Sequence, residues 1–391
     1  MDTCRIGVIG IGNMGSAHAR SLWEGRVPGM RLTAVCDIKE PRRRWAAETL
    51  PGVKVYDDFT ALLDGGEVDG VIIATPHGLH PVIACQAFAR GMHVLTEKPA
   101  GVSVGQVEEM NAAARASGRV FGIMFNQRTN PLFQRARELV RGGRLGVPKR
   151  LVWIITNWYR TQAYYDSGDW RATWSGEGGG VLLNQAPHNL DIWQWIFGMP
   201  ARVRAFCTTG KYHHIEVEDD ATIYAEYDSG ATAAFITSTG ECPGTNRLEI
   251  SGDRGKLLIE DGRLRFWELA EPERAFCFSS REGFVMPEAR EWTMQPDAPE
   301  TAHTGILRNF ADAVLHGAPL LAPGEEGIHQ VALTNAAYLS SWTDDWVSLP
   351  LDAAAYEKQL RARIAGTAKK ASDTAGEAPS GQYNPRWNIR W

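Results

Sequence analysis

No two of the six cysteines form a CxxC pair, since they lie apart at positions 4, 36, 85, 207, 242 and 277. Several fall within apolar, strand-like runs, which is typical of reduced thiols in the core of an intracellular protein. Clustered metal ligands are also missing, because His213 and His214, which precede Glu216 and Glu218, would point to opposite faces of a strand. We therefore expect no metal centre.

The chain has no apolar stretch long enough to span a bilayer, and Met1-Asp2-Thr3 leads directly into a strand-like run, without room for a signal peptide. It lacks an excess of positive charge, because 41 Lys and Arg face 46 Asp and Glu, for a formal net charge of −5. That balance argues against general binding to nucleic acid or to anionic membranes. With 44% hydrophobic and 22% charged residues, the composition is typical of a globular protein, which we expect in the cytoplasm.

Short apolar runs alternate with helical patterns in the first third of the chain. The predicted strands are Arg5–Ile9, Arg31–Cys36, Gly70–Ala74, His93–Thr96 and Val120–Phe125. This alternation predicts an α/β fold with a doubly wound parallel sheet. After about residue 127, strand-like segments are joined by short turns such as Asp228-Ser229-Gly230, which indicates hairpins in an open, mainly antiparallel sheet.

A glycine-rich segment, Gly10-Ile11-Gly12-Asn13-Met14-Gly15, follows the first strand and opens a helical pattern. Glycines at this spacing allow a tight turn and let the backbone approach a pyrophosphate at a helix N-terminus. Asp37, at the end of the second strand, is placed to accept hydrogen bonds from adenosine ribose hydroxyls, and its charge would repel a 2′-phosphate. The pattern favours NAD over NADP, although Lys39 and the arginines at 42–44 leave NADP open.

The length of 391 residues favours more than one domain. We predict a dinucleotide-binding domain over residues 1–127 and an α+β domain for substrate binding and oligomerisation over residues 128–350. A helix near 325–342 could pack back on the first domain. Residues 351–391 are predicted to form a helix and a flexible tail, whose Trp-rich end docks on its own or a neighbouring subunit rather than fraying.

Polar segments follow two of the predicted strands at the edge where doubly wound sheets bind ligands. Glu97-Lys98-Pro99 follows His93–Thr96, and a lysine there, beside a bound nicotinamide, could hold and relay the proton of a substrate hydroxyl. Thr75-Pro76-His77-Gly78-Leu79-His80 follows the neighbouring strand. Its two histidines either face the ligand or cap and pack the next helix.

Tryptophans and tyrosines cluster between residues 153 and 195, as in walls that stack against sugar rings, although core or interface packing is the alternative. Within this region, the segment at 157–165 is long, polar and aromatic. We interpret it as a substrate-specificity loop, with Tyr159, Arg160 and Tyr164 as candidates for polyol recognition. A subunit contact is the other interpretation.

In this order, these segments resemble the family named after glucose–fructose oxidoreductase and inositol dehydrogenase, Gfo/Idh/MocA. The resemblance covers roughly residues 4–345. Besides the glycine turn, the matching segments are Ala74–His80, Glu97-Lys98-Pro99, Asn126-Gln127-Arg128, Trp170-Arg171, and Gly178-Gly179-Gly180 leading to His188. The family implies a Rossmann domain followed by an open antiparallel-sheet domain, with the active site in the cleft between them.

The resemblance implies catalytic roles for Lys98, beside the nicotinamide, and for His188, as the acid/base on the substrate side. The candidate cofactor-binding residues are Gly10, Gly12, Asn13, Met14, Asp37, Thr75, Pro76, His77, His80, Glu97, Lys98, Asn126, Trp170 and Arg171. The candidate substrate-binding residues are Asn184, Arg128, Tyr159, Arg160, Tyr164 and His303. His303 stands where many relatives have an active-site tyrosine, and helix-start packing is its alternative role.

One position departs from the common family pattern, in which an aspartate stands four residues before the histidine. Asn184 takes that place here, one helical turn before His188. An amide can bind a sugar hydroxyl or orient the imidazole, but it cannot take a proton. Proton transfer therefore falls on His188 and Lys98, while Asp191 could supply a carboxylate partner or serve in helix packing.

The resemblance implies an NAD-dependent dehydrogenase that acts on a secondary hydroxyl of a sugar, a glycoside or an inositol-like cyclic polyol. One alternative is a glycoside 3-dehydrogenase or sugar–sugar oxidoreductase with tightly bound, recycled NAD. Another is a non-catalytic NAD-binding regulator, because a fold does not guarantee chemistry. We expect a homodimer or homotetramer, since an open sheet face usually pairs with another copy.

Overall fold

Six parallel strands and the helices between them form the N-terminal half of the fold. The computed structural model describes residues 3–296, 300–366 and 381–383. The strands are Cys4–Ile9 (β1), Met30–Cys36 (β2), Lys54–Tyr56 (β3), Gly70–Ile73 (β4), His93–Thr96 (β5) and Phe121–Ile123 (β6). The helices are Asn13–Trp23 (α1), Glu40–Thr49 (α2), Phe59–Asp64 (α3), His80–Ala89 (α4) and Val104–Ser117 (α5). The strand order β3-β2-β1-β4-β5-β6 is doubly wound and confirms the predicted α/β fold.

The order of the strands places a ligand crevice at the carboxyl ends of β1 and β4. The chain leaves β1 toward β2 and β3 on one side and then returns to β4 on the other side. At such a switch point, the loops that follow the two strands diverge, and ligands bind between them. The glycine turn after β1 and the segment at 75–80 after β4 therefore meet at one crevice.

A nine-stranded sheet and its helices form the C-terminal half. The strands are Pro148–Ile155 (β7), Arg202–Thr209 (β8), Glu218–Glu226 (β9), Thr232–Ser238 (β10), Asn246–Gly252 (β11), Gly255–Glu260 (β12), Arg263–Leu269 (β13), Ala289–Met294 (β14) and Val347–Ser348 (β15). The helices are Pro131–Arg141 (α6), Gln162–Asp166 (α7), Pro187–Phe197 (α8), Glu273–Ser279 (α9), Ala302–His316 (α10), Gly327–Thr343 (α11) and Ala353–Gly366 (α12).

The nine strands follow the order β14-β13-β12-β11-β7-β10-β9-β8-β15. Among the described residues, β7 and β10 pair in parallel, and the other neighbouring strands are antiparallel. The predicted open, mainly antiparallel sheet is therefore confirmed. Its strands alternate between buried and more exposed residues, as expected for a sheet with one face packed on a core.

Two hydrophobic cores lie beneath these sheets, and the C-terminal helices are divided between them. Ile306 and Phe310 of α10 pack into the core of the parallel sheet, although they follow the second sheet in the sequence. Tyr356 of α12 packs into the core of the second sheet. Helix α11 contacts both cores, through Val331 in the first and Leu333 in the second. The C-terminal helices therefore pack against both halves of the fold and connect them.

The elements β3, α3 and β14 were absent from the sequence prediction, and β3 and α3 are too brief to show much periodicity. None of the described helices has the length and apolar character needed to cross a membrane. Within the same residues, there is no group of three or more His, Cys, Asp or Glu side chains that could hold a metal ion.

Candidate active site

The turn between β1 and α1 requires glycine at two positions. Gly10 has φ +85°, and a Cβ there would lie 2.7 Å from the Ala74 carbonyl oxygen. A Cβ on Gly15 would lie 1.8 Å from the Gly10 carbonyl oxygen. Helix α1 begins with Gly12 as its N-cap and has no side-chain cap, so its first backbone N–H groups remain available to an anion such as a pyrophosphate.

Asp37 is buried at the end of β2 and faces this turn. Its Oδ2 accepts hydrogen bonds from the backbone N–H of Ile11 at 3.0 Å and from Arg42 Nη1 at 3.3 Å. Its Oδ1 accepts from the backbone N–H of Lys39 at 2.9 Å. The carboxylate therefore lies beside the glycine turn, where the ribose of a dinucleotide fits. The guanidinium of Arg42 partly balances its charge.

Replacing Asp37 with serine should shift cofactor preference toward NADP. The substitution removes the repulsive charge and releases Arg42, while NAD loses a hydrogen bond to a charged group, worth about 1.5–3 kcal/mol. That energy corresponds to roughly 10- to 100-fold weaker NADH binding. Titration of tryptophan fluorescence with NADH and NADPH measures both dissociation constants. Asp57→Ser, at an exposed aspartate, is the control, and an unchanged ratio of the two constants in Asp37→Ser would contradict the assignment.

Lys98 stands at the carboxyl end of β5 and reaches across the cleft. Its Nζ donates a hydrogen bond to the backbone carbonyl of Asn184 at 2.9 Å. Burial lowers the pKa of Lys98, and the negative charges of Glu97 and Glu177 oppose that effect. The lysine therefore joins the parallel sheet to the segment that carries the other predicted catalytic residue.

Glu97 points away from the cleft into a buried cluster behind Lys98. Its Oε1 lies 2.7 Å from His18 Nε2, and its Oε2 accepts from the backbone N–H of Lys98 at 3.2 Å. Burial alone would raise the pKa of Glu97, but the hydrogen bond to His18 and nearby positive charges lower it to about 2. His303 belongs to this cluster, with its ring 5.9 Å from that of His18. The structure thus places His303 behind Lys98, among histidine and glutamate side chains.

The two histidines after β4 are both buried and hydrogen-bonded. His80 has one ring nitrogen 2.8 Å from the Pro99 carbonyl oxygen and the other 2.8 Å from the Thr75 carbonyl oxygen. It therefore ties together the loops that follow β4 and β5. His77 Nδ1 lies 3.0 Å from the Glu177 carbonyl oxygen, and its ring is 5.6 Å from that of Trp170. It links the first sheet to the segment before α8.

Buried polar atoms without partners lie at the same edge of the parallel sheet. Both the nitrogen and the oxygen of the Asn126 side-chain amide have no hydrogen-bond partner among the described residues, and neither has Thr75 Oγ1. Leaving such groups unpaired costs free energy, so a polar ligand that pairs with them is favoured. Together with the glycine turn and Asp37, these atoms fit a bound dinucleotide.

A second glycine-rich turn, Gly178–Gly180, leads into the segment with Asn184 and His188. A Cβ on Gly180 would lie 1.9 Å from the Glu218 carbonyl oxygen. The buried carboxylate of Glu218 accepts hydrogen bonds from the backbone N–H groups of Gly180 and Leu182, each at 2.9 Å. Burial raises its pKa to about 7. A π-helical turn at Val181–Gln185 follows and, with α8, presents Asn184 and His188 to Lys98.

His188 is buried, and its Nδ1 has no hydrogen-bond partner in the described part of the chain. Burial lowers the pKa of His188 well below its ordinary value of 6.5, and the charge of Lys98 lowers it further. The imidazole is therefore neutral at neutral pH, which is the form that can accept a proton.

Glu177 is a residue of the candidate site that the sequence did not indicate. It is only 2% exposed, and its Oε1 accepts a hydrogen bond from the side-chain amide of Asn184. Its Oε2 accepts from the backbone N–H of Ala172 at 2.6 Å, and Arg171 Nη1 lies 3.9 Å from Oε1. Its position directly before the glycine run was the available signal. Glu177 therefore places a carboxylate next to Asn184, the position at which the family pattern has an aspartate.

The hydroxyl of Tyr164 is surrounded by donors. It accepts hydrogen bonds from Arg171 Nη1 at 2.8 Å, Gln185 Nε2 at 3.1 Å and Asn184 Nδ2 at 3.2 Å. The guanidinium of Arg160 lies 5.1 Å from the ring centroid, and that of Arg171 lies 4.5 Å from it. The structure therefore brings Tyr164, Arg160, Arg171 and Asn184 together. Because Asn184 donates to both Glu177 and Tyr164, its side-chain oxygen is the atom left for a substrate hydroxyl.

Arg128 and Asp191 lie in a buried ion-pair cluster. Arg128 was expected to bind substrate, but its guanidinium is fully buried and pairs with Asp191 at 2.7 Å and with Glu326. Asp191 also accepts from Gln194 at 2.9 Å, so its contacts are those of the helix-packing alternative. A buried charge requires such pairing, so these residues hold α8 against the strand ends. Tyr159, which was also predicted to bind substrate, is 47% exposed.

A parallel sheet with a glycine turn, joined to an open sheet that completes the cleft, is the architecture of a dinucleotide-binding Rossmann protein with a second domain. The chain belongs to the Gfo/Idh/MocA family. The profile described as "Oxidoreductase family, NAD-binding Rossmann fold" matches residues 4–125, and the "GFO/IDH/MocA C-terminal domain" matches residues 133–258.

Individual relatives agree with this assignment. The myo-inositol 2-dehydrogenase of Thermotoga maritima is 27% identical over 341 residues, which are 85% of this chain and 95% of the relative. The scyllo-inositol 2-dehydrogenase (NAD(+)) of Bacillus subtilis is 26% identical over 268 residues, 67% of this chain and 74% of the relative. Among solved structures, the WlbA dehydrogenase of Chromobacterium violaceum, in complex with NADH and UDP-GlcNAcA, superposes with a TM-score of 0.77. It shares 27% identity and covers 90% of this chain and 97% of its own.

Proposed function

We propose that this NAD-binding oxidoreductase transfers a hydride between the nicotinamide and a secondary hydroxyl of a sugar, a glycoside or a cyclic polyol. The observation that carries the proposal is the contact of Lys98 Nζ with the Asn184 carbonyl oxygen at 2.9 Å. It brings the lysine of the cofactor half to the turn that presents His188. The inositol dehydrogenase relatives support the substrate class.

The candidate site residues have different roles in the proposed reaction. NAD, held by the glycine turn, Asp37 and Asn126, would supply the hydride acceptor when bound. His188, neutral because of its burial, takes the hydroxyl proton, while the Lys98 ammonium stabilises the negative charge that develops on the substrate oxygen. Asn184 accepts a hydrogen bond from a neighbouring hydroxyl through its side-chain oxygen. Tyr164 and Arg160 line the substrate side, and Trp170 with Arg171 lies on the cofactor side.

A substrate panel tests the proposed function. The protein with NAD is incubated with inositols, free sugars and glycosides, and NADH formation is followed by absorbance while keto products are identified by mass spectrometry. We expect NADH formation with at least one class and a matching ketone. If no compound is oxidised although NADH binds, the non-catalytic regulator becomes the better account.

The cofactor content of the purified protein tests the alternative of a sugar–sugar oxidoreductase that recycles bound NAD. An enzyme that oxidises one sugar and reduces another would retain NAD through purification and would release little NADH into solution. The cofactor content of the purified protein, measured by absorbance after denaturation, separates this behaviour from that of a dehydrogenase with exchangeable NAD. Free exchange in steady-state assays would exclude recycling.

Replacing Glu177 with glutamine should move the alkaline limb of kcat/KM to lower pH. Burial lowers the pKa of Lys98, and the charge of Glu177 opposes that effect. Without this charge, the ammonium loses its proton at lower pH, so activity falls earlier as pH rises. The pH profile of kcat/KM measures the shift. Glu271→Gln, at an exposed position, is the control, and an unshifted alkaline limb in Glu177→Gln would contradict the role.

A further inference from the structure

A short segment near the C-terminus, Gly381–Tyr383, lies on the buried cluster behind Lys98. The ring of Tyr383 stacks on that of His303, with centroids 4.7 Å apart and planes inclined by 10°. It meets the ring of His18 edge-on at 5.5 Å. The predicted docking of the chain end through Trp387 and Trp391 lies outside the described residues, so this contact is a separate observation.

The backbone of the segment fits closely against α1 and α2. Gly381 is buried and has φ +65°, and a Cβ there would lie 2.9 Å from Arg20 Cδ and 3.1 Å from Trp45 Cζ2. Its backbone N–H donates to Ser16 Oγ at 3.4 Å. Because only glycine combines this conformation with this approach, residue 381 is suited to bring Tyr383 to its place.

A continuous set of hydrogen bonds connects the tyrosine to Lys98. Tyr383 Oη lies 2.8 Å from His18 Nδ1, and His18 Nε2 lies 2.7 Å from Glu97 Oε1. Glu97 Oε2 accepts from the backbone N–H of Lys98 at 3.2 Å. An ionised carboxylate only accepts, so the proton of the bond between His18 Nε2 and Glu97 Oε1 is on the histidine, and Nδ1 is the atom that pairs with the tyrosine hydroxyl. Burial raises the pKa of Tyr383, which keeps that hydroxyl protonated.

We propose that Tyr383 is a positioning residue, which holds Lys98 in place through His18 and Glu97. The expected effect of Tyr383 on turnover rests on the proposed function of Lys98, whereas its expected effect on local structure does not. The tyrosine hydroxyl fixes the orientation of the His18 ring. His18 in turn orients Glu97, which holds the backbone from which the lysine side chain reaches the cleft. Partners of this kind act by fixing geometry rather than by touching substrate.

Full-length variants at positions 383 and 381 test the proposal. Tyr383→Phe keeps the ring on His303 and removes the hydroxyl, whereas Tyr383→Ala removes both, and Gly381→Val displaces the segment. We expect each to lower kcat on the order of tenfold, because small displacements at a reactive group have effects of this size or larger. The dissociation constant for NADH should stay unchanged. Tyr212→Phe, at an exposed tyrosine, is the matched control.

Hydrogen–deuterium exchange of the NAD-free protein supplies a readout that does not depend on turnover. In Tyr383→Phe, peptides that contain the amide of Lys98 should exchange faster, while peptides from the nine-stranded sheet keep their wild-type rates. Wild-type exchange at Lys98 together with wild-type kcat in Tyr383→Phe would overturn the proposal. Faster exchange with unchanged kcat would keep the structural link but remove Lys98 from catalysis, so the two failures are distinguishable.

Discussion

Replacing Lys98 with alanine should lower kcat by roughly 10³-fold or more, because it removes both a preorganised charge and a group that can relay a proton. The ammonium lies at the junction of the two halves of the site, 2.9 Å from the Asn184 carbonyl oxygen. The dissociation constant for NADH should change little, since the glycine turn and Asp37 are untouched. Steady-state assays on the substrate found by the panel, with fluorescence titration of NADH, measure the two quantities.

The control for this substitution is Lys358→Ala, at an exposed lysine of α12. It removes the same side chain without touching the cleft and should leave kcat unchanged. If Lys98→Ala turned over its true substrate at nearly the normal rate, the lysine would not be catalytic, and the proposed division of roles would fail.

Replacing His188 with glutamine should lower kcat by about 10²–10⁴-fold, the usual contribution of a positioned acid/base group. Glutamine retains hydrogen-bonding capacity but cannot accept a proton. Since burial lowers the pKa of His188 below 6.5, the base is neutral above that pH and becomes protonated only in more acid solution. The acid limb of kcat/KM in the normal protein should therefore lie below pH 6.5, and it should disappear in the variant.

His316→Gln provides the matched control, because that histidine is exposed at the end of α10. Its pH profile should follow that of the normal protein. An acid limb that persisted in His188→Gln would assign the titration to another group, and wild-type kcat in that variant would exclude His188 as the base.

Several parts of the site could be predicted because they depend on local sequence. A glycine whose φ is positive, such as Gly10 at +85°, is required by a turn that only a few residues define. The same holds for Asp37 and Lys98, which follow apolar runs that are recognisable as buried strands of a parallel sheet. Parallel strands bring their carboxyl ends to one edge, so these residues were expected to meet.

The ion pairs of Arg128 could not be predicted, because its partners lie far away in the chain. Arg128 is 63 residues from Asp191, and no local pattern shows that the two charges neutralise each other in the interior. The same ion pair favours the helix-packing alternative for Asp191. The packing of helix α10 against the first core could not be predicted either, because an apolar helix face is compatible with either sheet.

The sequence by itself determined the family, the doubly wound sheet, the NAD site and the presence of a lysine and a histidine suited to hydride-transfer chemistry. Only the tertiary structure showed that Glu177 supplies a carboxylate beside Asn184, and that Tyr383 reaches Lys98 through His18 and Glu97. The physical reason is the range of the interactions. Turn geometry and strand burial are encoded by neighbouring residues, whereas the pairing of buried charges and hydrogen bonds is decided by which distant segments pack together.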